Sequence, residues 1–137
     1  MERLKLRLSL ARQAVARFEE ALQIPQPSKL ERDGAIQRFE YTFEATWKAC
    51  QRYLDVVEGL ECASPKTCLR LLRDIGLLND KSATTALEMV DDRNNTVHTY
   101  NEALAEKIFA HLPQYCALLK ELLQSVERKF EQSSPSF

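Results

Sequence analysis

At 137 residues the chain is long enough for one domain whose core removes about two-thirds of its unfolded surface from water. Its 45% hydrophobic and 28% charged residues are those of an ordinary soluble globular protein, and three glycines and five prolines argue against a many-turned β fold. A net charge of −1 excludes a protein that lives by nonspecific nucleic-acid binding, and no apolar run approaches the ~18 residues of a membrane span.

Leu4, Leu8, Ala11, Val15, Phe18 and Leu22 step by four and three, which predicts one face of a first helix. Arg3, Lys5, Arg7, Arg12 and Arg17 stand against Glu2 alone in the same stretch. Such a row is either a solvated outer face or a local phosphate-steering patch. Pro25 and Pro27 end the helix, and Ser28 with Glu31 forms a capping box that opens the next. Ile36, Phe39, Phe43, Cys50, Leu54 and Val57, flanked by Trp47 and Tyr53, make a long aromatic second helix closed near Gly59. At helical spacing this stripe reads as core rather than as a base-stacking platform.

Ser64-Pro65 and Gly76 bracket a short third helix with Leu69, Leu72 and Ile75 on its apolar face. Asn79 or Asp80 caps a fourth, which bears Ala83, Ala86, Leu87, Val90 and Val97. A fifth follows His98 with Leu104, Ile108, Leu112, Tyr115, Leu119, Leu122 and Val126; its apolar pattern continues past Pro113, which predicts a kink rather than an end. Residues 1–130 are thus expected to form one all-α, antiparallel up-and-down bundle of four long helices plus one short, with 131–137 a frayed tail.

Cys50, Cys62, Cys68 and Cys116 form no C-x-x-C pair and have no histidine at zinc-ligand spacing, so four reduced thiols and no metal or other cofactor are expected. The opening Met-Glu-Arg-Leu-Lys lacks the apolar segment of a secretory signal, which predicts a cytoplasmic protein.

Chemistry concentrates in the stretch 91–102, where one helical periodicity gives way to another. Arg93, His98 and Tyr100 supply a permanent cation, a side chain that titrates near neutral pH and a phenolic nucleophile. In an unbroken helix Arg93 and His98 would point about 140° apart. They share a site only if the helix ends between them or a second copy of the chain supplies the partner. Thr99 followed by Glu102 predicts such a break, with His98 just outside a helix N-terminus whose free N–H groups suit phosphate. Cation, imidazole and helix N-terminus are the parts that metal-free RNA cleavage needs: His98 as general base or acid, Arg93 on the charge developing at phosphorus, with Asp91 or Asp92 orienting Arg93.

Asp92-Arg93-Asn94 followed by His98-Thr99-Tyr100-Asn101-Glu102 resembles the signature of HEPN-domain proteins. The resemblance is to the bacterial subgroup called nucleotidyltransferase substrate-binding proteins, which includes HepT-type toxins. Arg38-Phe39-Glu40, Thr42-Phe43-Glu44 and Trp47-Lys48 resemble the subgroup's long second helix, and Ser64-Pro65-Lys66, Gly76 to Asp80 and Leu87 to Val90 match its later elements in order. Ala86 departs from it, standing where that subgroup has a tryptophan.

The resemblance implies a homodimer whose two chains build one cleft, and a partnership with a minimal nucleotidyltransferase that acts as antitoxin. It implies a metal-independent endoribonuclease with Arg93 and His98 catalytic, Asn94 and Thr99 in supporting contact with RNA, and Tyr100 adenylylated by the partner to silence the toxin. Two other readings stay open: a non-catalytic partner subunit that presents substrate to a nucleotidyltransferase, and a helical adaptor in which the motif is structural.

Overall fold

The computed structural model describes residues 1–133, among which all regular structure is helical. The helices are α1 (Glu2–Leu22), α2 (Lys29–Tyr53), α3 (Pro65–Asp74), α4 (Asp80–Asn95) and α5 (Glu102–Ser133). Side-chain caps open α2, α3 and α4. Ser28 Oγ accepts from the Glu31 N–H at 3.1 Å while Glu31 Oε1 accepts from the Ser28 N–H at 2.9 Å, which is the capping box. Ser64 Oγ accepts from the Thr67 N–H with Pro65 in the first helical position, and Asn79 Oδ1 accepts from the Ser82 N–H at 2.7 Å. A wide turn (Leu54–Glu58) closes α2 at Gly59, φ +68°, and Gly76 at φ +85° stops α3. Side chains with a Cβ rarely adopt that left-handed backbone.

Pairwise contacts set the direction of each helix. Phe18 meets Phe39 at 6.1 Å and the Thr42 hydroxyl donates to the Ala14 carbonyl at 3.1 Å, so α1 and α2 run antiparallel. Arg12 pairs with Glu127 and Lys120 with Glu19, so α1 and α5 are antiparallel too. Arg32 reaches Glu102 and Glu106 while Phe39 stacks on Tyr115 at 5.5 Å, so α2 and α5 run parallel through the centre. α1 covers one flank of that pair and the α3–α4 hairpin packs against the other. Phe18, Phe39, Tyr53, Leu72, Met89, Ile108, Leu112, Tyr115 and Leu119 form the core between them. Ala86 is fully buried within it.

Four details depart from the sequence reading. Val97 is 67% exposed and lies beyond the end of α4, outside the core. α5 continues through Pro113 to Ser133, three residues into the stretch expected to fray; the rest of that tail lies outside the described residues. Cys62 and Cys68 are joined in a disulfide rather than reduced: Cys62 lies in the loop before Ser64 and Cys68 in the first turn of α3, and entry into the helix brings their Cα atoms to 5.3 Å. Cys50 and Cys116 remain free, and burial pushes their thiols up, Cys50 to about 12 and Cys116 to about 11. The fourth is Arg32, which periodicity did not mark.

Arg32 is 4% exposed yet uses all five of its N–H donors. Its two terminal nitrogens clamp Glu102 at 2.8 and 2.9 Å, Nη1 also reaches Glu106 at 2.7 Å, and Nε and Nη2 hold Asp33. A guanidinium survives that burial because three carboxylates replace its water. Glu102 is the first residue of α5, so the clamp fixes where that helix begins against α2. No helix among the described residues is long and apolar enough to cross a membrane.

The hydrogen bonds from Arg32 hold the Glu102 carboxyl below its ordinary range. A depressed carboxyl stabilises the fold fully above the unfolded pKa of about 4.3, and that contribution fades as pH falls below it. The melting temperature of the wild type is therefore expected to exceed that of Glu102→Gln near neutral pH and to converge on it in acid. A gap that stays constant down to pH ~3 would show that the charge on Glu102 is not what Arg32 binds.

Candidate functional site

The break between α4 and α5 follows from local chemistry without glycine or proline. Asn94, Asn95, Thr96 and Val97 are poor helix formers, and asparagine and threonine side chains compete for backbone groups. The buried Thr96 hydroxyl donates to the Arg93 carbonyl at 2.8 Å, and the chain tightens into a single 3₁₀ turn (Thr96–His98). The Thr99 hydroxyl then donates to the Thr96 carbonyl at 3.0 Å and the Asn101 N–H to the His98 carbonyl at 3.0 Å. Asn101, not Thr99, caps α5, its Oδ1 accepting from the Leu104 N–H at 3.2 Å. The expected Thr99–Glu102 box fails because the turn takes the threonine hydroxyl and Arg32 takes the glutamate. The first turn of α5 already has Glu102 and Glu106 beside it, so it offers no vacant anion site of the kind its N–H groups suggested.

Two contacts anchor α4 just ahead of this break. Asp91 pairs with Lys66 of α3 at 2.8 Å. Asp92 Oδ2 accepts from the Tyr115 hydroxyl at 2.5 Å and lies 3.0 Å from His111 Nδ1, both on α5. Burial, then the Asp92 carboxylate, push the Tyr115 phenol up, so it stays a neutral donor. Neither aspartate touches Arg93, contrary to the expected orienting contact; they position it by holding its backbone.

Arg93 is half-buried, and its Nε is enclosed without a hydrogen-bond partner among the described residues. Its charge reaches Glu44 on α2. Burial pushes that carboxyl up, but hydrogen bonds from Trp47 and Lys48 and the nearby Lys48 and Arg93 charges outweigh it, leaving Glu44 below the usual range. His98 and Tyr100 are exposed, Tyr100 by 84%. Their rings meet edge-on at 5.9 Å, with the Tyr100 hydroxyl 3.4 Å from His98 Nδ1. The structure thus joins His98 to Tyr100, and no hydrogen bond joins either to Arg93. Asn94 is exposed and Thr99 half-buried, its hydroxyl committed to the turn.

A fixed cation with an unused donor, an accessible imidazole and an accessible phenol can hold a phosphoryl group, move a proton beside it and accept a modification. Among the described residues no three His, Cys, Asp or Glu side chains cluster as a metal site would require. Sequence reasoning missed the Asp92–Tyr115–His111 network because Tyr115 falls on the apolar stripe of α5. The signal available was that His111 and Tyr115 are four residues apart and share a helix face.

Residues 6–128 match the family model described as nucleotidyltransferase substrate binding protein like. A protein of Haemophilus influenzae described as a probable ribonuclease HepT is 30% identical over 100 residues, covering 70% of this chain and 67% of that one. A crystal structure from Thermus thermophilus superposes with a TM-score of 0.82 at 56% identity, over 85% of this chain and 98% of that one. At 13% identity a Shewanella oneidensis HEPN toxin, tri-AMPylated and in complex with its MNT antitoxin, shares the fold with a TM-score of 0.74 over 91% and 96% of the two chains.

Truncating Asp92 to alanine strands the buried Tyr115 hydroxyl, and urea denaturation is expected to show a loss of about 1–3 kcal/mol. Adding Tyr115→Phe should return part of that loss by removing the stranded donor. Strictly additive losses would mean that the two groups do not interact.

Proposed function

The chain belongs to the nucleotidyltransferase substrate-binding protein-like family, in its HepT-like HEPN subgroup, and we propose that it is a metal-independent endoribonuclease toxin whose partner is a minimal nucleotidyltransferase antitoxin. One observation carries this reading. α4 ends between the half-buried Arg93 and the exposed His98, so the two are not held about 140° apart on one helix, which supports their sharing a site.

In the proposed reaction His98 takes the proton of a ribose 2′-hydroxyl, the freed oxygen attacks the adjacent phosphorus, and the 5′-oxygen leaves with a proton. Arg93 would stabilise charge developing on the phosphoryl oxygens, as a preorganised cation does most effectively. One chain supplies a single imidazole at the motif, His98, whereas proton removal and proton delivery on opposite sides of phosphorus call for two groups. A homodimer with a composite cleft supplies both.

Tyr100 is the proposed switch. Its exposed hydroxyl can attack the α-phosphorus of ATP held by the partner, forming a phosphodiester to AMP and releasing pyrophosphate. AMP on Tyr100 then adds negative charge and bulk beside His98, where the RNA phosphate would lie. The Shewanella relative is AMPylated in complex with its antitoxin, which supports this reading. The 84% exposure of Tyr100 also fits a second one, a non-catalytic subunit that only presents itself to the nucleotidyltransferase.

RNA cleavage separates the two. Unmodified wild type is expected to cut RNA in the presence of chelator, and His98→Ala to lose cleavage while keeping its circular dichroism and melting temperature, since an exposed side chain contributes within ~0.5 kcal/mol. No cleavage by clean, unmodified protein would leave the partner-subunit reading, and cleavage by a preparation that light scattering shows to be strictly monomeric would sink the composite cleft. Intact-mass spectrometry after incubation with a cognate nucleotidyltransferase and ATP should show added AMP on the wild type and none on Tyr100→Phe. AMP retained by that variant would move the switch to another residue.

A further inference from the structure

Apart from the motif, one surface gathers more charge than packing needs. The start of α1, the end of α2 and the loop before α3 enclose an open cleft of about 610 Å³. Arg3 and Arg7 line it from α1, Lys48 and Arg52 from α2, and the acids Asp55 and Glu61 line it with them. Four cations therefore face two carboxylates in a chain whose net charge is −1.

The cations are poorly neutralised. Arg52 lies 4.0 Å from Asp55, and its Nε is buried without a hydrogen-bond partner. Lys48 pairs with Glu44 at 3.1 Å, outside the cleft. Arg3 and Arg7 have no ion pair among the described residues and, four positions apart, share one helix face. Arginine forks held in this way suit phosphate oxygens, and an open groove with spaced cations suits a chain of phosphates better than one small anion.

The cleft also connects to the motif. Lys48 lines it and pairs with Glu44, and Glu44 lies within the field of Arg93. Glu44, Lys48 and Arg52 follow one another at four-residue spacing along α2, about 12 Å of rise in all, so Lys48 and Arg52 share a helix face with the acid that the Arg93 charge reaches. We infer that this cleft is a second RNA subsite, in which Arg3, Arg7, Lys48 and Arg52 bind the phosphodiester backbone of a single strand whose scissile phosphate lies at Arg93 and His98. The inference rests on the reading of the chain as a protein that acts on RNA. It assigns Arg3 and Arg7 of the basic row of α1 to substrate backbone rather than to a solvated face, and it makes recognition along the cleft independent of base sequence.

The test measures binding, not cleavage, so that its failure is distinct from failure of the ribonuclease reading. Full-length protein bearing His98→Ala is titrated with a fluorescein-labelled mixed-sequence single-stranded RNA at several salt concentrations. Adding Arg3→Gln and Arg7→Gln should weaken binding roughly tenfold at low salt and lower the slope of log K against log salt by about 1.4, at about 0.7 per phosphate contact on a single strand. A matched control removing the same charge elsewhere, Lys81→Gln with Lys107→Gln, should leave the slope unchanged. An unchanged slope in the arginine variant, an equal fall in the control, or no RNA binding in any background would each overturn the subsite. Binding with the expected slopes alongside no cleavage by wild type would support the cleft and sink the ribonuclease reading alone.

Discussion

The Arg32 guanidinium is the constraint on which the rest of the structure depends. It is almost wholly buried, its five donors are met by Glu102, Glu106 and Asp33, and Glu102 is the residue with which α5 begins. A buried cation tolerates few alternative geometries, because any displacement leaves a charge without either water or partner. The start of α5 is therefore held against α2, and the stretch from Thr96 to Tyr100 must bridge a gap whose far end is fixed. The helix break is a consequence of this anchoring as much as of weak local propensity.

The near end is held differently. Asp92 binds α5 through Tyr115 and His111, and Asp91 binds α3 through Lys66. Two consecutive acidic residues thus pin α4 from two directions and leave Arg93, the next residue, facing α2 with a donor unused. The acids nearest Arg93 are engaged with groups other than Arg93. That is the arrangement a cation needs if it is to meet a ligand's charge without first breaking an internal bond. His98 and Tyr100, beyond the break, are constrained mainly by backbone turns and remain exposed. One half of the motif is rigid and half-buried, while the other is accessible to a substrate, to a modifying enzyme and to a second chain.

On the proposed reading, a near-neutral chain must place its charge locally to act on RNA. Here the acids are occupied where they would repel RNA: Glu102 and Glu106 by Arg32, Asp91 by Lys66 and Glu44 by Lys48. Of the cleft's cations, Arg3 and Arg7 have no ion pair among the described residues, while Lys48 pairs with Glu44 and Arg52 lies 4.0 Å from Asp55. Local field, not net charge, then governs steering.

The sequence by itself determined the helices, the caps of α2, α3 and α4 and the position of the motif. Apolar spacing of three and four residues, Ser28 with Glu31, Ser64-Pro65, Asn79 and the glycines at 59 and 76 are local signals, read within one or two turns of chain. The Arg93–His98–Tyr100 pattern was legible for the same reason, and its resemblance to HEPN proteins agrees with the family to which the chain belongs. Only the tertiary structure decided which partners the polar groups take. Arg32 read as an ordinary charge on a helix, Tyr115 as core, Thr99 as a cap and Cys62 and Cys68 as separate thiols. Each has its role set by a group that folding brings near: Glu102 is 70 positions from Arg32 and Asp92 is 23 from Tyr115. Hydrophobic periodicity survives without knowledge of such neighbours because burial is not directional, whereas a hydrogen bond or a disulfide exists only between two particular atoms at one distance and angle.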